Sequence, residues 1–273
     1  VGGGAMKRIT IEPTFEGWRT AARGLLAAGT DPRDVLWETA DEAQPALGLV
    51  EEARPSAADA QARVPRAFME LADAAACHSD PERWAVLYRV LWRITHGEPR
   101  LMEVAMDPDV HRMLRMEKAV RRDVHKTKAF VRFRSVATEG GEHFVAWFEP
   151  EHPTLERVAP FFAERFTSMK WSILTPRRCA HWDGDHLWFS EGVPRSAAPS
   201  EDALEGLWRT YYASIFNPAR LKPRAMRAEM PIRYWRNLPE AELILPLTRD
   251  APARVRRMIE AEQARARPPE DED

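Results

Sequence analysis

Hydrophobic periodicity changes near residue 129, and this change limits the possible folds of the chain more than any other feature. Before it, apolar residues recur at helical spacing, as Phe15, Trp18 and Ala22 do within 14–28. After it, 129–137 (AFVRFRSVA) alternates apolar and polar residues, a glycine turn follows, and 143–149 (HFVAWFE) continues as a second strand-like run. Two such runs joined by a short turn are typical of a β-hairpin. The sequence therefore predicts helices before this point and an antiparallel sheet after it.

Further signals complete the prediction of an α+β fold, with a central antiparallel sheet of four to five strands and helices before and after it. Asp80-Pro81 and Asp107-Pro108 are typical helix starts, and Asp183-Gly184 is typical of a tight turn between strands. Helices are predicted at 14–28, 64–76, 81–96, 108–126, 154–166, 201–216 and 250–266. Strands are predicted at 6–12, 129–137, 143–149, 171–175, 179–182 and 186–189.

Composition shifts divide the chain into predicted segments. The first five residues (VGGGA) precede Met6 and are interpreted as a cloning scar. Residues 41–62 are rich in Ala, Glu, Pro and Gln, which is typical of a mobile linker. The predicted segments are the scar at 1–5, an N-terminal segment at 6–40, the linker at 41–62, an α+β domain at 63–250, and a helix with a disordered acidic tail at 251–273.

Residue types and short motifs exclude several functional classes. The two cysteines, Cys77 and Cys179, are too few for a four-cysteine zinc site or a cysteine-ligated iron–sulfur cluster built by this chain alone. The chain contains no P-loop, no dinucleotide-binding fingerprint, no serine-hydrolase elbow and no zinc-deaminase signature. No apolar run approaches the roughly 20 residues that span a bilayer. We predict a cytoplasmic protein with reduced thiols, no membrane partner, no cofactor and no metal.

Positive charge is concentrated in two segments of a chain whose net charge is only −2. Residues 112–134 carry nine Lys/Arg and two Asp/Glu, and residues 217–236 carry six and one. Clustered cations suit the phosphates of nucleic acid. The first basic island, which we predict to contact the DNA backbone, consists of Arg115, Lys118, Arg122, Lys126, Lys128, Arg132 and Arg134. The alternative interpretation is a solvated helix face whose basic end suits the helix dipole.

The second basic island mixes cations with aromatic residues. Its predicted nucleic-acid contacts are Arg220, Lys222, Arg224, Arg227, Arg233, Tyr234, Trp235 and Arg236. Aromatic side chains stack on unpaired bases, so Tyr212, Tyr234 and Trp235 are predicted to stack on bases or to fill the gap left by a flipped base. The alternative is a packed helical subdomain, because Trp208, Tyr211 and Phe216 recur near helical spacing.

Histidines are the natural candidates for acid–base chemistry. Residues 181–186 (HWDGDH) place two His and two Asp around one predicted turn, which suits a divalent metal or an acid–base pair. The alternative is that Asp-Gly serves turn geometry and that exposed strand histidines have no chemical role. The weak catalytic candidates are His125, His152, His181, Asp183 and His186.

Several long motifs give the chain a family resemblance over about residues 8–250. They are 88–92 (YRVLW), 123–134 (DVHKTKAFVRFR), 144–153 (FVAWFEPEHP), 161–175 (FFAERFTSMKWSILT), 181–184 (HWDG) and 207–239. With these motifs the chain resembles uncharacterised bacterial proteins described as DNA-metabolism proteins, which occur alone or joined to an X-type uracil-DNA glycosylase domain.

This resemblance implies a role in DNA repair, with a radical-SAM protein and a uracil-DNA glycosylase-like protein as partners. It implies no catalytic residue, and the chain lacks the water-activating motif of uracil glycosylases. We therefore predict a DNA-binding repair protein that favours single-stranded or damaged DNA. The alternatives are an enzyme that acts on a damaged or modified nucleobase by His/Asp acid–base chemistry, and a scaffold for the radical-SAM partner.

Overall fold

The computed structural model describes residues 6–39, 63–138, 141–198 and 231–238, together with single helical positions between 246 and 260. These residues belong to two compact units. The first unit comprises the described residues up to His125 and the short segment Glu151–Thr154. The second comprises the described residues of Lys126–Pro150 and those from Leu155 onward. None of the described helices is long and apolar enough to cross a membrane.

The first unit combines a two-stranded parallel sheet with helices. Its strands are β1 (Lys7–Ile11) and β2 (Val35–Thr39), which pair in parallel because the chain returns through α1 (Phe15–Ala27). The remaining helices are α2 (Arg66–Ala76), α3 (Arg83–Thr95) and the first part of α4 (Pro108–Phe130), with 3-10 turns at Pro32–Asp34 and Leu101–Glu103.

Large aromatic side chains join these elements into one core. Trp18 of α1 is buried and donates its indole N–H to the carbonyl oxygen of Trp84 at 3.2 Å. Tyr88 of α3 is buried and donates its hydroxyl to the carbonyl oxygen of Thr30 at 2.8 Å. Residues 6–39 therefore share a core with α2 and α3. The predicted linker at 41–62 lies outside the described residues and its prediction is not tested. The division between the two units falls after His125, within α4.

The second unit contains a five-stranded sheet in the order β3-β4-β5-β6-β7. Its elements are β3 (Arg134–Thr138), β4 (Gly141–Trp147), α5 (Leu155–Arg165), β5 (Trp171–Leu174), β6 (Arg178–Trp182) and β7 (Leu187–Glu191), followed by 3-10 helices at Arg195–Ala197 and Ile232–Asn237. The predicted α+β class is confirmed. One pairing differs from an all-antiparallel sheet: β4 and β5 are parallel, because α5 carries the chain from one end of the sheet to the other.

Helix α5 covers one face of this sheet. Phe162 of α5 packs against Trp171 of β5 with ring centroids 6.2 Å apart, and Glu156 pairs with Arg178 of β6 at 2.9 Å. Successive side chains of a strand point to opposite faces. Ser172, which follows Trp171, and His181, its partner in the β5–β6 register, therefore lie on the other face. We call this the Ser172 face.

Helix α4 is longer than the sequence predicts. It continues to Phe130 rather than ending near residue 126, so the following strand begins only at Arg134. Arg132 supports this end by donating to the carbonyl oxygens of Ala129 at 2.8 Å and Val131 at 3.2 Å, since the last carbonyls of a helix lack intrahelical donors. The alternation of apolar and polar residues from 129 onward thus includes both the end of α4 and the start of β3.

Candidate nucleic-acid interface

Three exposed cations lie on one face of α4. Arg115, Lys118 and Arg122 are separated by three and four residues, which places them side by side on the helix surface. Among the described residues, none of the three has an ion-pair partner. Arg112, nearer the start of the same helix, is by contrast paired with Asp80 and Glu82, both at 2.7 Å. We call the three residues the α4 basic face; its positive charge is available to an anion from outside.

The other members of the first basic island occupy different environments. Lys128 is exposed, with its Nζ 4.5 Å from the centroid of the Phe161 ring. Lys126 is only 7% exposed, and Arg132 donates to the end of its own helix. Arg134 is half-buried on the Ser172 face. The burial of Lys126 corrects its prediction as a contact of the DNA backbone, while the predictions for Lys128, Arg132 and Arg134 are not tested.

The second basic island lies largely outside the described residues. The residues not described include Arg220, Lys222, Arg224, Arg227 and Tyr212. Their predicted contacts with nucleic acid are therefore not tested. Tyr234 is only 1% exposed and stacks on Phe148 and on Phe130, with ring centroids 5.1 and 5.8 Å away. This position corrects the prediction that Tyr234 stacks on a base, because its ring is buried among other aromatic rings.

Arg233 is exposed beside Tyr234. Its guanidinium lies 4.9 Å from the centre of the Tyr234 ring and donates to the Tyr234 hydroxyl at 3.1 Å. Trp235 is half-buried, and the backbone of Arg236 belongs to the same 3-10 helix. Of this segment, Arg233 is the cation shown at the surface of the described residues.

A pair of histidines whose rings are in close, tilted contact lies in the first unit. The rings of His78 and His152 have centroids 4.2 Å apart. Nδ1 of His78 accepts the backbone N–H of Asp80 at 3.0 Å, and Nδ1 of His152 accepts the backbone N–H of Ser79 at 3.3 Å. Burial, helped by neighbouring His152, lowers the pKa of His78 below its ordinary value. The paired rings are thus arranged as hydrogen-bond acceptors in a partly dry environment.

Asp123 fixes the segment that carries His152. One carboxylate oxygen accepts the backbone N–H of Glu151 at 3.2 Å, and the other accepts the backbone N–H of His152 at 3.0 Å and the hydroxyl of Thr154 at 3.2 Å. His152 is 4% exposed, so it is a buried residue and not one poised at the surface. His125, the other candidate in this unit, is exposed on α4.

The turn at 181–186 does not bring its two histidines together. Asp183 accepts the backbone N–H groups of Asp185 at 2.9 Å and His186 at 2.8 Å, which opens a four-residue loop from Asp183 to His186. His181 consequently pairs with Trp188 instead of His186. Asp183 and His186 are exposed, with the carboxylate 3.9 Å from His186 Nδ1. These hydrogen bonds lower the pKa of Asp183 and identify it as a turn-forming residue.

A chain of hydrogen bonds on the Ser172 face was not predicted. Nε2 of His143 lies 2.9 Å from Ser172 Oγ, which lies 2.8 Å from His181 Nδ1, and His181 Nε2 lies 2.8 Å from Ser190 Oγ. Burial lowers the pKa of both histidines, aided by Lys170 at His143 and by His143 at His181. Both rings are therefore neutral near pH 7. These four residues can be recognised as a hydrogen-bonded group only once the strand register is known.

The acid–base candidates are divided between the two units. His125 and His152 belong to the first unit, and His181, Asp183 and His186 to the second. In the part of the chain that the structure describes, no three His, Cys, Asp or Glu side chains are grouped so as to hold a metal ion. The α4 basic face and the Ser172 face are the arrangements with evident binding chemistry.

A family model described as a domain of unknown function, DUF4130, matches residues 81–240 of the chain. The matched range begins just before α3 and includes α4, α5 and the whole five-stranded sheet. Searches of the curated proteins and of the solved structures found no match to the chain.

Proposed function

This chain belongs to the DUF4130 family, and we propose that it binds DNA through the α4 basic face as part of a bacterial DNA-repair pathway. The observation that carries the proposal is the grouping of Arg115, Lys118 and Arg122 on one exposed helix face without ion-pair partners among the described residues. Each cation that neutralises a phosphate releases counterions from the DNA, which favours binding most at low salt.

The spacing of these cations supports the proposal. A helix rises about 1.5 Å per residue, so Arg115 and Arg122 lie roughly 10 Å apart along the axis of α4. Phosphates along one DNA strand are spaced on the order of 6–7 Å apart, so flexible Arg and Lys side chains on such a row reach two or three of them. Contacts to phosphates position a protein on DNA without reading the base sequence. The proposed binding is therefore independent of base sequence at this face.

The repair context rests on the family resemblance and extends the proposal to partners. We infer that a radical-SAM protein and a uracil-DNA glycosylase-like protein act in the same pathway, in the cytoplasm. Affinity purification of the tagged chain from its native host tests this inference. Enrichment of both proteins after nuclease treatment is the expected result, and recovery of neither counts against it.

A charge-reversal experiment tests DNA binding directly. The triple variant Arg115→Glu, Lys118→Glu, Arg122→Glu is compared with wild type by fluorescence anisotropy on a labelled oligonucleotide at low salt. We expect at least about a tenfold loss of affinity, because three phosphate contacts become repulsive. The matched control, Arg23→Glu, Arg63→Glu, Arg100→Glu, changes three exposed arginines of the first unit that lie apart from α4.

The control separates the α4 basic face from total charge. Both triple variants make the same change in net charge, so a protein held only by non-specific attraction loses equal affinity in both. The proposal predicts a much larger loss for the α4 variant. Absence of DNA binding by wild type at low salt, or equal losses in the two variants, overturns it. Circular dichroism establishes that both variants remain folded.

A further inference from the structure

The sheet of the second unit carries an exposed tryptophan that packing does not explain. Trp188 on edge strand β7 is 46% exposed, whereas the other tryptophans that the structure describes are buried or half-buried. Its ring lies against the His181 ring, with centroids 5.4 Å apart and planes inclined by 24°. One side of the indole is thus supported by the protein, and much of its remaining surface faces solvent.

The supporting ring is held at both of its nitrogens. One order of donors that satisfies these distances begins at Ser190, which donates to the carbonyl oxygen of Glu191 at 3.4 Å and accepts Nε2–H of His181. Nδ1 of His181 then accepts the hydroxyl of Ser172. His143 Nε2–H completes the order by donating to Ser172 Oγ. This arrangement satisfies each group with both imidazoles neutral, and it fixes the orientation of the ring behind Trp188.

Positive charge lies on the same face of the sheet as this aromatic pair, but across the sheet from it, at β3 and β4. Arg134 lies on the Ser172 face, and the Arg195 guanidinium lies 5.5 Å from the centroid of Trp147 on the same face. Burial, aided by the charge of Arg134, lowers the pKa of Arg195. Exposed Lys170 is near enough to His143 to affect its pKa. Among the described strand residues whose side chains lie on the Ser172 face, none is Asp or Glu.

We infer that the Ser172 face binds single-stranded DNA, with an unpaired base stacked on Trp188 and the phosphate backbone near the cations of this face. A face with an exposed aromatic ring at one edge, cations towards the other edge and no Asp or Glu among its described strand residues complements a polyanion whose bases are unstacked. Duplex DNA keeps its bases paired and offers no flat base surface to Trp188. The inference rests on the proposed function, because it names the form of DNA bound, but it concerns a different surface from the α4 basic face.

Two oligonucleotides of equal charge separate base stacking from phosphate binding. One is a twelve-nucleotide oligo(dT), and the other is an abasic strand of the same length. Anisotropy is measured at a salt concentration where wild type still binds. Stacking of one base, worth about 1–3 kcal/mol, corresponds to an advantage of about 5-fold to 160-fold for oligo(dT). Wild type is expected to show this preference for oligo(dT) over the abasic strand.

Variants of Trp188 decide whether this residue is responsible. Trp188→Ala is expected to lower affinity for oligo(dT) to that for the abasic strand, with abasic affinity unchanged. Trp188→Phe keeps an aromatic face and is expected to retain most of the preference. The α4 charge-reversal variant is expected to weaken binding to both oligonucleotides by the same factor. Trp188 is exposed, so its replacement leaves the core of the sheet intact.

The outcomes distinguish the two claims. Equal binding of both oligonucleotides by wild type, or a preference that survives Trp188→Ala, overturns the stacking site while leaving DNA binding by α4 in place. Binding of neither oligonucleotide at any salt concentration overturns the proposed function and the stacking site together. A preference abolished equally by Trp188→Ala and Trp188→Phe, with both variants folded, contradicts stacking on an aromatic face.

Discussion

The carboxylate of Asp123 on α4 accepts the backbone N–H of His152 at 3.0 Å, although the two residues are 29 positions apart in the chain. Asp123 belongs to the motif DVHKTKAFVRFR and His152 to the motif FVAWFEPEHP. Both motifs carried the family resemblance, and both fall within the matched range 81–240. Their meeting shows that at least part of this sequence pattern serves to fix the segment Glu151–Thr154 against α4.

Replacement of Asp123 is expected to destabilise the first unit strongly. The carboxylate is 3% exposed and accepts hydrogen bonds from Glu151, His152 and Thr154. Asp123→Ala leaves these donors without their acceptor, at a cost of about 3 kcal/mol in the free energy of unfolding. Urea denaturation measures the loss. Asp185→Ala, at an exposed turn position, is the control and should change stability by less than about 0.5 kcal/mol; equal effects would contradict this role of Asp123.

The hydroxyl of Tyr88 tests whether residues 6–39 belong to the same core as α3. It donates to the carbonyl oxygen of Thr30, and both residues are buried. Tyr88→Phe preserves the ring but leaves that carbonyl without its donor, so we expect a loss of about 1–2 kcal/mol. Thermal unfolding provides the measurement. A Tm equal to that of wild type would show that the N-terminal segment is not held by this bond.

Three histidines make stability depend on pH. The folded-state pKa values of His78, His143 and His181 lie below the ordinary 6.5, chiefly because burial disfavours the charged ring. Below about pH 6.5 the unfolded chain therefore binds protons that the folded protein does not. The stabilising effect of these neutral rings is present above that pH and is lost as the pH falls through their lower folded-state values.

Urea denaturation at pH 7.5 and 5.5 measures this dependence. Wild type is expected to be less stable at pH 5.5, and His78→Gln to show a smaller difference between the two pH values. His125→Gln, on the exposed surface of α4, is the control and should leave the difference unchanged. Stability that is constant or increases on acidification would contradict the arrangement of neutral, half-buried rings.

The burial of Lys126 predicts a difference in chemical reactivity along α4. Lys126 is 7% exposed, while Lys118 and Lys128 are exposed on the same helix. Brief acetylation of the native protein, followed by peptide mass spectrometry, should modify Lys118 and Lys128 well before Lys126. The same reaction in denaturant is the control and should remove the difference. Equal native rates would place Lys126 at the surface, as the sequence pattern alone suggests.

Local signals predicted much of the fold. The hairpin β3–β4 and the helices α1 to α3 follow from periodicity and from turn residues that act over a few positions. The end of α4 was misplaced because Phe130 stacks on Tyr234, about a hundred residues later in the chain. Strand β2 was not predicted, since five residues give little periodicity and its partner β1 lies far away in sequence.

Which residues come together at the candidate sites depends on strand register and on side-chain burial. Local sequence patterns determine neither. Cation spacing predicted Arg115, Lys118 and Arg122 on one face of α4, but it could not show that Lys126 points into the protein. The stacking of His181 on Trp188 requires the four-residue loop that Asp183 stabilises, and a two-residue turn predicts a different partner. The Ser172 face could therefore be identified only from the structure.

The salt dependence of DNA affinity tests the central claim most directly. Anisotropy titrations of a single-stranded oligonucleotide over a range of salt concentrations give the slope of log K against log[salt] for wild type and for Arg115→Gln, Lys118→Gln, Arg122→Gln. Each lost phosphate contact reduces the magnitude of this slope by about 0.7. The account predicts weaker binding with a slope smaller by about 2 in the variant. An unchanged slope, or no binding by wild type at low salt, would contradict it.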